Sequence, residues 1–226
     1  AFVELHIEQG PVMEAEGVQI GAVQDLQGIS WQEFTVTGQS NHAGTTPMRL
    51  RRDAGHGAAA ISVFVRELTM RHAGLVGTVG VTELHPNLIN VIAARAKLTV
   101  DLRHTDEAAL QRAEHELADY IATTATAQQL QIETRRLVRF EPVRFDARLV
   151  RTIEAAAQAR GHATRRMTSG AGHDAQMLAR TCPAAMIFVP SVGGISHNPR
   201  EHTTPEDLAR GATVLLDVLR TLADEA

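Results

Sequence analysis

The stretch Gly28–Gly38, GISWQEFTVTG, begins a segment whose pattern of strands and helices differs from that of the flanking sequence, and it decides how the rest is organised. Its β-branched and aromatic residues, enclosed by two glycines, predict a strand over residues 29–37. The elements predicted after it are a helix over 52–71, strands over 74–84 and 88–103, a helix over 107–127 and a strand over 130–138. This βαββαβ order is typical of a split α+β unit that can fold by itself.

The flanking sequence alternates strands and helices instead. A strand is predicted at 1–7, and the elements after residue 140 are a helix over 147–161, a strand over 163–168, a helix after the glycine turn at 169–172, a strand over 184–190 and a final helix. Thr203 and Glu206 have capping-box spacing, and Pro205 suits the first turn of that last helix. We therefore expect an α/β domain with a mostly parallel sheet, formed by residues 1–27 and 140–226 and interrupted by an inserted α+β unit of residues 28–139.

Composition excludes several classes of protein. The net charge is -4 and the basic residues are scattered, so neither nucleic acid nor an anionic membrane is an expected partner. No apolar run approaches the roughly 18 residues of a membrane helix. A single cysteine, Cys182, excludes an intrachain disulfide framework and fits a reducing, cytoplasmic location. Eleven histidines stand against one tyrosine and one tryptophan, so each histidine is a candidate metal ligand or acid/base group.

Two histidines fall where an open α/β sheet collects its ligands, at the carboxyl ends of strands. His6 closes the first predicted strand, and His197 lies in the glycine-rich loop after the buried strand AAMIFVP. Both could converge on one site although they are far apart in sequence. Two ligands are too few for a closed zinc site, and a lone histidine at a strand end is commonly only a hydrogen-bonding residue.

The segment SGAGHDA imitates a dinucleotide-binding fingerprint, with Gly170, Gly172 and Ala175 at G-x-G-x-x-A spacing. That fingerprint requires an acidic residue at the end of the next strand, which here reads FVPSVGG, so a nicotinamide cofactor is not expected. The glycines are better suited to letting backbone N–H groups approach a substrate. A serine hydrolase is excluded because the chain has no G-x-S-x-G elbow.

Polar groups on the inserted unit are further candidates. The loop GQSNHAGTTPM, which contains His42, is dense in hydrogen-bonding side chains, although such residues also cap helices. Asn90 and Arg103 are predicted on one strand, thirteen residues apart and hence on opposite faces if the strand is regular. Either could be structural, but an arginine at the end of an apolar strand is suited to bidentate binding of a carboxylate.

Five segments in order, ELHIEQGP, GQSNHAGTTPM, PNLINVIAARAKLTVDLRH, SGAGHDAQ and GGISHNPREHTTPED, resemble the allantoate amidohydrolase and N-carbamoyl-L-amino-acid hydrolase group of the M20 peptidase family. The resemblance runs nearly end to end. It implies a catalytic α/β domain that holds two divalent metal ions, Zn²⁺, Mn²⁺ or Co²⁺, and an inserted lid domain through which the protein forms a homodimer.

The resemblance also implies roles for single residues. His6 would be a ligand of one metal and His197 of the other. His42 would reach the partner subunit's site and stabilise the oxyanion, and Asn90 and Arg103 would bind the substrate carboxylate. Backbone of Gly170 or Gly172 would lie along the substrate, and Gln9 belongs to the His-Ile-Glu-Gln-Gly signature of the carbamoyl-cleaving branch.

The expected reaction is metal-assisted hydrolysis of a ureido C–N bond, with a glutamate as general base. The family's His-x-Asp motif and Glu-Glu pair, which supply that base and further ligands, stand upstream of HIEQG, and no Glu-Glu pair occurs in these 226 residues. We therefore expect this chain to be a C-terminal portion, inactive by itself. A non-catalytic dimeric scaffold is the alternative, and the choice between allantoate and an N-carbamoyl amino acid stays open.

Overall fold

The computed structural model describes residues 1–224 and divides into two compact units, one of residues 1–27 with 143–226 and one of residues 28–142. The first unit contains β1 Phe2–Ile7, α1 Val12–Glu16, β2 Ile20–Leu26, β7 Val143–Arg144, α4 Ala147–Ala159, β8 Thr164–Ser169, α5 Asp174–Leu178, β9 Ala184–Val189 and α6 Pro205–Asp224. The second contains β3 Gly28–Thr37, α2 Ala54–Arg71, β4 Val76–His85, β5 Arg95–His104, α3 Glu107–Ala127 and β6 Gln131–Phe140. None of the helices in these 224 residues is long and apolar enough to cross a membrane.

The sheet of the first unit is mixed, so the prediction of a mostly parallel sheet is wrong. β1 pairs with β9 and β2 pairs with β8 in parallel, whereas β2 runs antiparallel to both β9 and β7. No strand was predicted over residues 20–26, so β2 was missed. Only twelve residues separate β1 from β2, positions 8–19, a connection at the lower limit of a parallel crossover, and β2 enters the sheet in the opposite direction.

The core of the first unit lies between this sheet and its two long helices. β9 is buried along its whole length, as expected of a strand paired on both edges. α4 and α6 pack on the sheet and on each other, burying Leu149 and Ile153 from one and Val214 and Val218 from the other. These layers fix the carboxyl ends of β1 and β9. His6 lies at the end of β1, and the loop that contains His197 follows β9.

The last helix begins at Pro205, as predicted, but its cap is one residue later than the predicted Thr203–Glu206 box. Thr204 Oγ1 accepts a hydrogen bond from the Asp207 N–H at 3.1 Å and donates to the Asp207 carboxylate at 2.7 Å. Thr203 instead turns inward, where its hydroxyl donates to the Pro190 carbonyl. Thr203 therefore ties the loop before α6 to the end of β9.

The second unit is an antiparallel sheet of order β4-β5-β3-β6 with α2 and α3 packed on it, and its elements follow the strand, helix, strand, strand, helix, strand order predicted from the sequence. Alternate residues of β5 enter the core, and Leu98, Val100 and Leu102 are almost completely buried. The junction back to the first unit falls after Pro142, three residues beyond the predicted 139/140 boundary, because β6 continues to Phe140.

β5 is shorter than predicted, which changes the position of Asn90. β4 ends at His85, which pairs with Arg95, so residues 88–94 have no partner strand to extend the ladder. Asn90 consequently lies in an exposed turn before β5, and its placement with Arg103 on one strand is wrong. The turn is held by backbone hydrogen bonds, among them Ala43 N–H to the Asn90 carbonyl at 2.9 Å.

Candidate metal and substrate site

The carboxyl end of β1 brings three possible metal ligands together. Glu4 and His6 alternate along β1 and therefore project from the same face of the strand. His173, the residue before α5, joins them, and one ligand atom from each of the three side chains lies within 4.8 Å of the others. The rings of His6 and His173 stand edge to face, with centroids 4.5 Å apart.

Hydrogen bonds assign the ring nitrogens of both histidines. Nδ1 of His6 donates to the Ile7 carbonyl at 2.8 Å, which leaves a lone pair on Nε2. Ser169 Oγ donates to the Ala171 carbonyl at 3.1 Å, so His173 Nε2 must be the donor in its 2.9 Å contact with that oxygen. The Nδ1 lone pair of His173 then faces the Glu4 carboxylate at 3.6 Å.

Burial keeps His173 uncharged at neutral pH. Its side chain is 3% exposed, and burial, with the neighbouring His6 as a smaller cause, lowers the pKa of His173 to about 4. Glu4 meanwhile accepts the Ala175 N–H at 2.8 Å through its other carboxylate oxygen. The lone pairs of His6 Nε2 and His173 Nδ1 thus converge with a carboxylate oxygen of Glu4, and none of these three atoms carries a hydrogen. A set made only of acceptors fits a divalent cation.

Glu4 and His173 were not among the ligands predicted from the sequence. The period-2 spacing of Glu4 and His6 in ELHIE is a signal that would have found the first of them. His173 could not be found that way, since it reaches β1 only through the packing of α5 on β1 and β9. The prediction for its segment, SGAGHDA, concerned the glycine turn and not the histidine.

His197 lies outside this three-residue cluster, on the exposed loop after β9. Its backbone N–H donates to Glu201 at 3.0 Å, and Glu201 also accepts a hydrogen bond from Ser196 at 2.6 Å. The Ser196 hydrogen bond, then the His197 hydrogen bond and the charges of His197 and His6, hold the pKa of the Glu201 carboxyl below its usual range. Glu201 therefore holds the backbone of His197 in place through the His197 N–H.

Two predicted site residues have left-handed backbone although neither is glycine. Gln9 has a φ of 58° and His197 a φ of 53°. Gln9 is held there by its N–H, which donates to the hydroxyl of the fully buried Ser191 at 3.0 Å. Such conformations cost on the order of 1 kcal/mol or more and cluster at functional sites, so both outliers support a functional role for these loops.

The glycine turn after β8 is shaped by side chains around it. Ser169 and Ala171 exchange hydrogen bonds through the Ser169 hydroxyl, which closes the turn around Gly170. Gly170 and Gly172 are both exposed, and the nearest atom to a Cβ built at Gly170 is Gln27 Oε1 at 3.9 Å. The turn around Gly170 thus has room for a side chain, and its predicted closeness to a substrate stays a prediction.

On the second unit, the exposed ring of His42 has a defined tautomer. Its Nδ1 accepts the Gly44 N–H at 3.0 Å, so the hydrogen resides on Nε2. The surrounding loop is fixed by Thr46 Oγ1, which donates to the His42 carbonyl at 2.8 Å, and by Arg51, which donates to the carbonyls of Ala43 and Thr46. His42 therefore presents its Nε2–H as a hydrogen-bond donor from a loop that these hydrogen bonds hold in place.

Arg103 lies at the end of β5, with Asn90 in the turn that precedes that strand. Nε of Arg103 donates to both carboxylate oxygens of Asp101 at 3.0 and 3.1 Å, and Nη2 of Arg103 donates to Oδ2 of Asp101 at 2.6 Å. The guanidinium is thus oriented by a carboxylate on its own strand. The predicted site residues form two sets, one in each unit: His6, Gln9, Gly170, Gly172 and His197 in the first, and His42, Asn90 and Arg103 in the second.

Comparison with known proteins identifies the family of this chain. The family model for peptidase family M20/M25/M40 matches residues 1–221. The chain belongs to this family. Among the curated relatives of this M20 chain, an N-carbamoyl-L-amino-acid amidohydrolase of Rhizobium meliloti is 39% identical over 225 residues, and an allantoate amidohydrolase of Escherichia coli strain K12 is 41% identical over 224 residues.

The M20 chain spans about half the length of these relatives, since each alignment covers 99% of this chain and 54% of the relative. Among solved structures, a hydantoinase/carbamoylase family amidase from Burkholderia multivorans superposes with a TM-score of 0.92 at 46% identity, over 96% of this chain and 53% of that one. The resemblance found in the sequence is thereby confirmed at the level of family and fold.

Proposed function

We propose that the protein to which this M20 chain belongs is a metal-dependent amidohydrolase that cleaves the ureido C–N bond of an N-carbamoyl-L-amino acid or of allantoate. The observation that carries the proposal is the acceptor-only cluster of Glu4, His6 and His173 at the end of β1. Converging lone pairs and a carboxylate oxygen repel one another unless a cation or a proton lies between them. The relatives named above supply the reaction class.

His6 would hold one divalent ion and His197 a second, with Glu4 and His173 beside the first. Imidazole and carboxylate ligands admit Zn²⁺, Mn²⁺ or Co²⁺. When bound, such ions polarise a carbonyl oxygen and lower the pKa of water. Around them, the Ile7 carbonyl fixes the His6 ring and Ser169 fixes the His173 ring, so that both rings keep their lone pairs in place.

His42 would stabilise the negative charge that develops on the ureido oxygen. A donor in that role must carry its hydrogen on the outward nitrogen, which is the tautomer that the Gly44 hydrogen bond selects. Because the donor is oriented before the reaction, little reorganisation is needed as the charge develops. As a lid residue, His42 would serve the partner subunit's site.

Arg103 and Asn90 would bind the substrate carboxylate, a group that both candidate substrates carry. Arginine suits this task because its planar fork matches a carboxylate with two parallel hydrogen bonds. The backbone of Gly170 or Gly172 would lie along the substrate, and Gln9, held by Ser191, would contact it from the loop after β1. Residues 28–142 would form the lid and the dimer contact of a cytoplasmic enzyme.

The proposal is tested with the product of the complete reading frame that encodes this chain. The purified, metal-free protein is loaded in turn with Mn²⁺, Zn²⁺ and Co²⁺, and ammonia release is measured from a panel of N-carbamoyl-L-amino acids and from allantoate. We expect metal-dependent turnover of one of these classes. A matched pair of variants, His6→Ala and the exposed His115→Ala, separates loss of a ligand from loss of any histidine.

Turnover that is abolished in His6→Ala and kept in His115→Ala supports the proposal. No ammonia from either substrate class with any of the three metals would overturn it and would favour the non-catalytic scaffold. Release of ammonia that does not depend on metal would contradict the assignment of the cluster, because its acceptors would then have another purpose.

A further inference from the structure

The loop between β9 and α6, which carries His197, is closed at its base by two hydrogen bonds. The Val192 N–H donates to the His202 carbonyl at 2.9 Å. The Thr203 hydroxyl donates to the Pro190 carbonyl, also at 2.9 Å. These contacts tie the two ends of the loop together, as in other compact surface loops. Residues 193–201 therefore extend from a fixed base.

The first part of this loop is seated on the segment after β1. The Gly193 N–H donates to the carboxylate of Glu14, on α1, at 2.7 Å. Gly194 packs so closely on Pro11 that a Cβ built on it would lie 2.6 Å from the Pro11 Cα. Both glycines have left-handed backbone, with φ of 63° and 64°. The position of the loop up to residue 194 is thus set by its contact with this segment.

The second part of the loop, which contains His197, is held by a side chain of the loop itself. Oε2 of Glu201 accepts the Ser196 hydroxyl at 2.6 Å and the His197 N–H at 3.0 Å. The Glu201 N–H in turn donates to the Asn198 carbonyl at 2.9 Å. One oxygen atom of Glu201 therefore ties its residue to two consecutive positions, 196 and 197.

The backbone of His197 lies in a region that needs such support. Its φ is 53°, whereas an L-residue prefers negative φ, where its Cβ does not crowd the following carbonyl oxygen. Loss of the acceptor at Glu201 would let φ return to the negative range. Because the direction of the Cα–Cβ bond depends on φ, the imidazole would then point elsewhere.

We propose that Glu201 is a positioning residue, which holds the backbone of His197 in its left-handed conformation and thereby presents the His197 imidazole to a metal ion. This inference rests on the proposed function, in which His197 is a ligand of the second ion. Glu201 acts through the reach of one oxygen atom, not through its charge and not as a ligand of the metal.

Two variants separate reach from charge. Glu201→Asp keeps the negative charge but has a side chain shorter by a methylene, so its oxygen no longer reaches the His197 N–H. Glu201→Gln loses the charge but keeps the length and an oxygen, which suffices because one oxygen accepts both hydrogen bonds. We expect Glu201→Asp to bind one of the two proposed ions about tenfold more weakly, the usual effect of removing a partner that orients a ligand. Glu201→Gln should bind both ions like the wild type.

The measurement is isothermal titration of the metal-free product of the complete reading frame with Mn²⁺, or with Zn²⁺ if the wild type binds that ion more tightly. Thermal unfolding of every variant is compared. The matched control is Glu206→Ala, which removes another exposed carboxylate, in the first turn of α6, and should bind metal like the wild type.

A double variant shows whether Glu201 acts through His197. His197→Ala removes the imidazole, so the further change Glu201→Asp should have no additional effect on metal affinity. The double variant is therefore expected to bind metal like His197→Ala alone. Losses that add in the double variant would mean that Glu201 acts on the metal by another route, and would overturn the positioning role.

Weaker binding in Glu201→Asp, with wild-type binding in Glu201→Gln, supports the proposal. Wild-type binding in a folded Glu201→Asp variant, or equal losses in the two variants, would overturn it while leaving the proposed function intact. If Glu201→Asp does not fold, Glu201→Gln decides: wild-type affinity supports the proposal and weaker affinity overturns it. A wild-type protein that binds none of Mn²⁺, Zn²⁺ and Co²⁺ and releases no ammonia would overturn the proposed function as well, so the two failures are distinguishable.

Discussion

At the scale of single residues, the most informative group is the chain of contacts from Ser169 through His173 to Glu4. Ser169 is fully buried and fixes the tautomer of His173, which in turn directs a lone pair at Glu4. None of these contacts is visible in the spacing of the sequence, because the residues come from β1, β8 and the start of α5. Of the three clustered ligands, Glu4, His6 and His173, only His6 was predicted.

Replacement of His173 tests the cluster directly. We expect His173→Ala in the intact protein to weaken Mn²⁺ or Zn²⁺ binding by about tenfold or more, because it removes one of three converging acceptors. Isothermal titration of the metal-free protein measures this. His115→Ala, on the exposed face of α3, should bind metal like the wild type. Equal metal affinities in the two variants would remove His173 from the site.

Replacement of His42 tests the donor on the second unit. We expect His42→Ala to lower kcat about a hundredfold or more, the usual cost of deleting one oxyanion donor, with a smaller change in KM. Steady-state kinetics of the intact protein measures both. A kcat within a few-fold of the wild type would show that the Nε2–H of His42 does not meet developing charge.

At the scale of elements, local signals predicted well where local physics decides. α3 has the predicted bounds, Glu107–Ala127, because Asp106 caps it by accepting the Ala109 N–H at 2.7 Å. β2 was not predicted because it is stabilised as a strand by β8 and β9, one on each edge, and both are distant in sequence. Asn90 was wrongly predicted on β5 for a related reason. Residues 88–94 have β-propensity, but β4 ends at His85 and provides no partner strand for them.

The packing of α6 on the sheet provides a prediction in which two effects oppose each other. A Cβ at Gly211 would lie 2.6 Å from Val189 Cγ1 and 2.7 Å from Leu5 Cδ1. We expect Gly211→Ala to destabilise the protein by about 1–3 kcal/mol from overpacking, although alanine favours helices by about 1 kcal/mol. Urea unfolding followed by circular dichroism measures the change.

Gly55 provides the matched control for this substitution, because it lies in the first turn of α2 with more room around it. A Cβ there would meet Asp53 Oδ1 at 3.3 Å and Ala93 Cβ at 3.5 Å. Gly55→Ala should therefore leave stability unchanged or raise it by up to about 1 kcal/mol. If both substitutions stabilise, close packing of α6 against β1 and β9 is refuted.

At the scale of the whole molecule, each unit has a hydrophobic core of its own. The core of residues 28–142 is formed by buried residues of β3, β5, α2 and α3, and that of the other unit by residues of β2, β9, α4 and α6. We expect residues 28–142, expressed alone, to unfold in a single cooperative transition. Circular dichroism and the fluorescence of Trp31, the one tryptophan of the chain, measure this.

The same isolated unit tests the proposed dimer contact. If residues 28–142 carry the contact, they should sediment as a dimer at micromolar concentration in analytical ultracentrifugation. A folded but monomeric unit would place the contact elsewhere. The single Trp31 lies on β3, so its emission also reports whether the sheet is intact in that experiment.

The chain leaves and re-enters each unit through neighbouring strands. Ile29 pairs with Phe140 in one unit, and Leu26 pairs with Val143 in the other. Cutting after residue 27 and before residue 143 therefore leaves β2 and β7 as an antiparallel pair that a two-residue turn could close. Residues 28–142 can therefore be exchanged between relatives as one block. Such chimaeras need no change in the strand register of the unit that receives the block.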